Sequence, residues 1–204
     1  MKDHLPTDLT SSMTDFGPLV TLNEPAFIHP SVLIYGCVTV EAGASLWPNT
    51  VVRAENFEVR IGANTNIQDF TMIHVGGSTG TFIGAHCSIT HHCTIHGCTI
   101  GDNCLIGINA TIMDGAVIGA NCIVAGGAFV KERTVVPGNS IVMGIPGKVV
   151  REQNNWVANR FNAWLYEQNG RAYARGEHRV WDGSAFLQAS KEKMAELQTE
   201  FAAL

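Results

Sequence analysis

The sequence predicts an all-β fold, a parallel β-helix of stacked three-strand coils with α-helices at its C-terminal end, and three observations predict it. Twenty aliphatic positions between Leu22 and Val142 recur at almost constant spacing, and sixteen of the nineteen intervals are six residues. Two residues before each of them stands a small side chain drawn only from Ala, Val, Thr, Ser and Cys, such as Ala26, Thr71, Cys93 and Ala116. Inward positions that alternate within so short a repeat describe coils stacked around one narrow core. Beyond Val142 the period changes, and apolar residues recur at helical spacing.

Residues 1–19 are polar, rich in Thr, Ser and Asp, and read as a flexible N-terminal arm. Residues 20–150 carry the repeat and read as the β-helix domain, closed by Pro146 and Gly147. Residues 151–204 read as a helical extension. Within it Trp156, Val157, Arg160, Phe161, Trp164 and Leu165 mark the stripe of a helix over 151–168 that packs along the stack and is stopped by Gly170. An irregular arm follows through Gly176 and Trp181. Ser184 is placed to cap a second helix with Leu187, Met194, Leu197 and Phe201 on one face.

The chain of 204 residues has a formal charge of -5, and its 13 Lys and Arg are scattered, which gives no footprint for nucleic acid. No run of about 18 apolar residues occurs, so no membrane partner and a cytoplasmic location are expected. Five of the six cysteines, Cys87, Cys93, Cys98, Cys104 and Cys122, fall on the small inward position and read as reduced packing residues. Cys37 falls off the register.

The three irregular intervals are nine residues from Val52 to Ile61, ten from Ile73 to Ile83 and five from Ile95 to Ile100, beside Arg53, His74 and His96. If the long intervals bulge outward, Ile83, Ile89 and Ile95 lie one strand spacing, about 4.8 Å, above Ile61, Ile67 and Ile73. The residues just after the core positions then form an outward column of Arg53, His74, His96 and Met113. Asp69 and His91 form a second column elsewhere on the coil. A three-fold assembly of prisms would set the second column of one subunit against the first of its neighbour. Three histidines would then converge with an open position for water, the pattern of a catalytic zinc site. His29, His86 and His92 fit neither column and read as surface or interface residues.

These residues resemble the gamma-class carbonic anhydrases and their hexapeptide-repeat relatives of the carnitine and phenylacetate operons. The motifs are Val52-Arg53-Ala54-Glu55, Asn66-Ile67-Gln68-Asp69 with Ile73-His74, His91 with His96-Gly97-Cys98-Thr99-Ile100-Gly101, and Gly144-Ile145-Pro146-Gly147-Lys148, and the resemblance covers about residues 24–168. It implies a left-handed parallel β-helix and a homotrimer whose metal is bound by His74 and His96 of one subunit and His91 of the next. It further implies an Arg53–Asp69 salt bridge across the interface and Gln68 holding the metal-bound water or the substrate. Tyr166 resembles a helix tyrosine that approaches the metal in some relatives. The chain departs from the pattern at Arg53-Ala54-Glu55, where many members read Arg-Gly-Asp. Asn56 stands where the archetypal enzyme has a proton-moving glutamate, and residues 75–81 contain no acid.

The resemblance implies hydration of carbon dioxide to bicarbonate by a metal-bound hydroxide, with Zn²⁺ as the cofactor and Fe²⁺ or Co²⁺ suited to the same donors. Gln68 would position the hydroxide, and Glu55 and Tyr166 would orient substrate or accept a proton. The alternatives are hydrolysis of an acyl-CoA thioester at the same site, CoA-dependent acyl transfer with a lone histidine as base, and a non-catalytic metal-binding module.

Overall fold

In the computed structural model, which describes residues 16–204, the chain winds into a left-handed parallel β-helix and ends in two helices. Every corner of a coil must turn the chain sharply in a few residues, and the sequence supplies residues that tolerate a left-handed backbone there. Asn49, Phe70, His92 and Asn109 hold φ between 59° and 60° at one corner, and Asn64, His86, Asn103, Asn121 and Asn139 hold φ between 55° and 61° at another.

The coil has three faces. The first stacks Phe27–Ile28, Ser45–Leu46, Asn66–Ile67, Ser88–Ile89, Leu105–Ile106, Ile123–Val124 and Ser140–Met143. The second runs through the start of Leu33–Val40 and of Val51–Ile61, then Met72–His74, Thr94–His96, Thr111–Ile112 and Phe129–Val130. The third takes Val20–Leu22, the ends of those two long strands, Thr81–Ile83, Thr99–Ile100, Val117–Ile118 and Val135–Val136. The expected register holds residue for residue: Ile61 pairs with Ile83, Ile67 with Ile89, and Ile73 with both Val52 and Ile95. All three irregular intervals fall at one corner, between the second and third faces. Length varies there without shifting the pairing, because a one-residue slip would turn every inward side chain outward.

The core is the file of these aliphatics and the small residues beside them. Leu22 is the exception at the first rung, in register with Val40 yet 40% exposed. The five inward cysteines are buried free thiols. Those of Cys87, Cys93, Cys104 and Cys122 donate to the carbonyls of Gly101, Gly107, Gly119 and Pro137 at 3.1–3.2 Å. Burial pushes the Cys93 thiol up to about 11 and that of Cys98 up to about 12. Cys37 is exposed, at the bulge where strand Leu33–Val40 shifts register after Gly36.

The C-terminal region differs from its expected form in three ways. Residues Lys148–Glu152 are a strand, antiparallel to Ser140–Met143, so the first helix begins later than 151. That helix, α1 (Trp156–Ala174), runs through Gly170. A Cβ at Gly170 would lie 3.2 Å from the Cβ of Phe27 and 3.3 Å from that of Ser45, so the glycine serves close approach of α1 to the first face. A helix inside a packed interface tolerates glycine when the contact offsets its poor propensity. After a 3-10 turn at Val180–Asp182, α2 (Ser184–Ala202) starts with Gly183 at its N-cap, and Ser184 makes no capping bond. Leu197 is buried, whereas Leu187 and Phe201 stay exposed.

His86 is no simple surface residue. In its corner the carboxamide nitrogen of Asn103 donates to Asn121 Oδ1, and that of Asn121 to Asn139 Oδ1, each at 3.0 Å. His86 takes the rung below, and Asn103 Oδ1 is left buried without a partner among the described residues. The imidazole lies half-buried against a cavity of about 330 Å³ shared with Arg160 and Lys193. Burial first, then the charge of Arg160, push its pKa down to about 4, with Asp102 opposing and Lys193 assisting.

Two outcomes are expected. Titration of the native protein with a chromogenic disulfide reagent should find one fast thiol per chain, Cys37, and rapid reaction of all six would refute the register. Because His86 takes up a proton less readily folded than unfolded, its contribution makes stability fall as pH drops from 6.5 toward about 4. His86→Asn, which suits both the left-handed backbone and the ladder, should flatten that part of the urea-denaturation profile. Superimposable profiles would show that the imidazole is not a buried neutral group.

Candidate metal centre

The site grows out of the second face. Its first outward residues run Leu33, Val51, Met72, Thr94 and Thr111, and the next column runs Tyr35, Arg53, His74 and His96, each directly paired to the one below. Arg53, His74 and His96 therefore stand one strand spacing apart, as the column reading expects. They border an open cleft of about 390 Å³, completed by Glu55, Asn56 and Val75-Gly76-Gly77.

Hydrogen-bond partners decide how the rings present themselves. Glu55 Oε2 lies 2.9 Å from His74 Nε2, and Asp114 Oδ1 is in close contact with His96 Nδ1. An ionised carboxylate only accepts, so the proton of each imidazole is drawn to the engaged nitrogen. That leaves His74 Nδ1 and His96 Nε2 as lone pairs, and these two face each other at 3.0 Å. Two acceptors so close repel unless a shared proton or a metal ion lies between them. Ligand nitrogens about 2.0–2.1 Å from a tetrahedral ion stand roughly 3.3 Å apart, so the pair suits one divalent metal ion.

The other column lies at the corner between the first and second faces. His91 Nδ1 donates to Asp69 Oδ2 at 3.0 Å, which leaves its Nε2 as the free donor atom. Among the described residues no three His, Cys, Asp or Glu of one chain converge as a ligand set. Within one chain Arg53 pairs with Glu55, and Asp69 with His91. Next to this column Phe70 and His92 stack with ring centroids 5.0 Å apart, so His92 is an exposed corner residue, as expected. His29 is held by Ser31 at 2.8 Å.

Gln68 is 2% exposed and built into a polar relay under α1. Its Nε2 donates to Asn66 Oδ1 at 2.9 Å, Asn66 Nδ2 donates to Ser88 Oγ at 2.9 Å, and Ser88 donates to Asn162 Oδ1 at 2.7 Å. The Gln68 carboxamide oxygen accepts from no described residue. Tyr166 packs edge-on to Trp47 and to Trp181, and burial first, then the charge of Asp69, raise its phenol above the usual value. Glu55 is lowered: slight desolvation works against the shift, and its own backbone N–H, His74 and Arg53 outweigh it.

Asp114 was not singled out in the sequence. It stands one residue beyond Met113, the column's continuation, and nothing but the short interval at Gly97 hints that it reaches down to His96.

The model of the family "Bacterial transferase hexapeptide (six repeats)" matches residues 97–132. The chain is 50% identical over 125 residues to a Methanocaldococcus jannaschii protein named "Probable carbonic anhydrase", covering 61% of this chain and 79% of that one. It is 36% identical over 163 residues to the Escherichia coli carnitine operon protein CaiE, covering 78% and 82%. To the mitochondrial gamma carbonic anhydrase 2 of Arabidopsis thaliana it is 34% identical over 122 residues, 56% of this chain, and it spans only 43% of that longer relative. Among solved structures, a hexapeptide transferase family protein from Anaplasma phagocytophilum superposes with a TM-score of 0.72 at 30% identity, over 76% of this chain and 92% of the other.

Proposed function

The chain belongs to the gamma-carbonic-anhydrase-like family of hexapeptide-repeat proteins, and from that premise we propose a metal-dependent enzyme that hydrates carbon dioxide to bicarbonate between subunits of a trimer. The observation that carries this reading is the opposed pair of lone-pair nitrogens of His74 and His96, each with its other nitrogen held by a carboxylate. His91 of a second subunit, its Nε2 free, supplies the third donor. When bound, a divalent ion such as Zn²⁺ brings the pKa of a water to about 7 and so provides a nucleophile at neutral pH.

The second face suits the subunit contact. It lies between the two histidine columns, it is one of the two faces that α1 does not cover, and Leu33, Tyr35, Phe70 and Ile108 expose apolar surface on or beside it. Packing three such faces around an axis brings Arg53 of one subunit to Asp69 of the next. A charge pair buried there favours one register, since a slipped assembly would leave both charges unpaired.

Each remaining residue has a defined task. Gln68, its nitrogen committed to Asn66, offers its carboxamide oxygen to a hydrogen of the attacking water and so aims it at the carbon. Glu55 has both oxygens engaged, one by Arg53 and one by His74, and orients the His74 ring. Tyr166 keeps its proton and donates to a substrate oxygen on the side of Asp69. Asn56 cannot take up a proton, and residues 75–81 offer no carboxylate, so protons leave through buffer.

Hydrolysis of an acyl-CoA thioester is the second reading of the same centre. The wall of Trp47, Tyr166 and Trp181 favours it, because Trp181 is 43% exposed and offers a large planar surface to a bulky substrate.

Anaerobically purified protein should carry divalent metal, hydrate carbon dioxide, and lose activity to a chelator. Full acyl-transfer activity in metal-free protein would replace this reading, and bound metal with neither hydration nor thioester hydrolysis would leave a non-catalytic module. His96→Ala should lose metal and activity together. Mixed and reassembled His91→Ala and His96→Ala chains should regain about a quarter of the wild-type sites, because a cyclic trimer builds each interface from two different surfaces. No recovery on mixing would place all ligands within one chain. High imidazole should speed the wild type more than Asn56→Glu, in which the added carboxylate supplies part of the about 10²–10⁴-fold help of a positioned acid or base. Equal buffer response in the two would remove proton export as the slow step.

A further inference from the structure

We infer that Asp114 is a positioning residue that aims His96, fixing its tautomer and ring plane so that Nε2 alone is presented to a metal ion. This rests on the metal reading above and extends it to the residue that prepares one of the ligands. The His96 ring nitrogen is the only side-chain partner of Asp114 among the described residues. Glu55, by contrast, is one methylene longer and divides its oxygens between His74 and Arg53.

The fold builds a slot for this carboxylate. Between Ile95 and Ile100 the corner is one residue short, so Gly115 bonds to the Gly97 carbonyl at 2.7 Å and no residue of the lower coil stands beneath Asp114. The carboxylate folds into that gap. Its walls are glycines: a Cβ at Gly97, whose φ is +52°, would come within 2.9 Å of Asp114 Oδ1, and one at Gly76 within 3.0 Å of Oδ2. The backbone around the slot is tied from both sides, with Gly97 N–H on the His74 carbonyl at 3.0 Å and Arg133 N–H on the Asp114 carbonyl at 2.8 Å. A carboxylate held this tightly restricts the ring it touches and raises the basicity of the opposite nitrogen.

The test uses metal-stripped full-length trimers of wild type, Asp114→Ala and Asp114→Asn, with Glu132→Ala as an exposed-carboxylate control. Zinc affinity is measured by competition with a chromogenic chelator, the site symmetry by the visible spectrum of bound Co²⁺, and metal-free stability by calorimetry. Asp114→Ala should weaken zinc binding about 10–100-fold and alter the Co²⁺ bands. Its metal-free melting should stay close to wild type. Asp114→Asn, whose carboxamide oxygen still accepts the Nδ1 proton, should lose less, and it carries the test if the alanine variant does not assemble. Wild-type zinc affinity in whichever variant assembles, or an equal loss in Glu132→Ala, overturns the assignment. A wild-type trimer that takes up no metal overturns the parent reading and this one with it, whereas normal wild-type uptake with unchanged Asp114 variants overturns this one alone.

Discussion

The parallel hydrogen-bond ladder between successive coils is the constraint on which the rest depends. It ties each residue to a counterpart one strand spacing above, so a side chain's neighbour is set by register and not by distance along the chain. Arg53, His74 and His96 are separated by about twenty residues at each step and still stand in one column. The same ladder explains where the chain can vary. Alternation has a period of two, and any slip within a strand would bury His74 and expose Ile73. Additions and deletions are therefore confined to corners, and all three occur at the corner that carries His74 and His96.

The three faces divide their labour through their outward residues. On the first face these include Ser45, Asn66, Gln68 and Ser88, which would be exposed polar groups in an isolated coil. Helix α1 covers them, and Asn159 and Asn162 satisfy groups that water would otherwise hold. Burial under the helix also immobilises Gln68, which turns a flexible amide into a fixed one. The second face keeps its apolar outward side chains uncovered, and both histidine columns edge it. Of the two faces that α1 leaves open, this is the one edged by both columns, and covering it is what would bring His91 of one copy to His74 and His96 of another.

The proposed chemistry relies on pairing each imidazole with a carboxylate. Glu55, Asp69 and Asp114 each take one ring nitrogen of His74, His91 and His96. The common effect is to choose a tautomer, and through it the atom left to bind. Among the described residues no carboxylate near the cleft is without such an engagement, and for that reason the proposed chemistry relies on proton transfer to buffer.

Much of this was legible in the sequence. The six-residue period located the core, assigned five cysteines to it, and stacked Arg53 with His74 and His96 and Asp69 with His91, because a register requires only spacing. Contacts that cross between elements were not legible. Gly170 looked like a helix stop, and only the approach of α1 to Phe27 and Ser45 shows why a glycine sits inside the helix. Lys148–Glu152 carries no strand period, since its pairing comes from the exposed edge of Ser140–Met143. His86 became half-buried through helices that pack over it from far along the chain. Asp114 was not singled out by the repeat, and its hold on His96 follows from a missing residue in the coil below. Spacing alone determines what repeats along the stack, whereas the partners of a side chain at a corner or under a helix depend on close packing that only the folded chain creates.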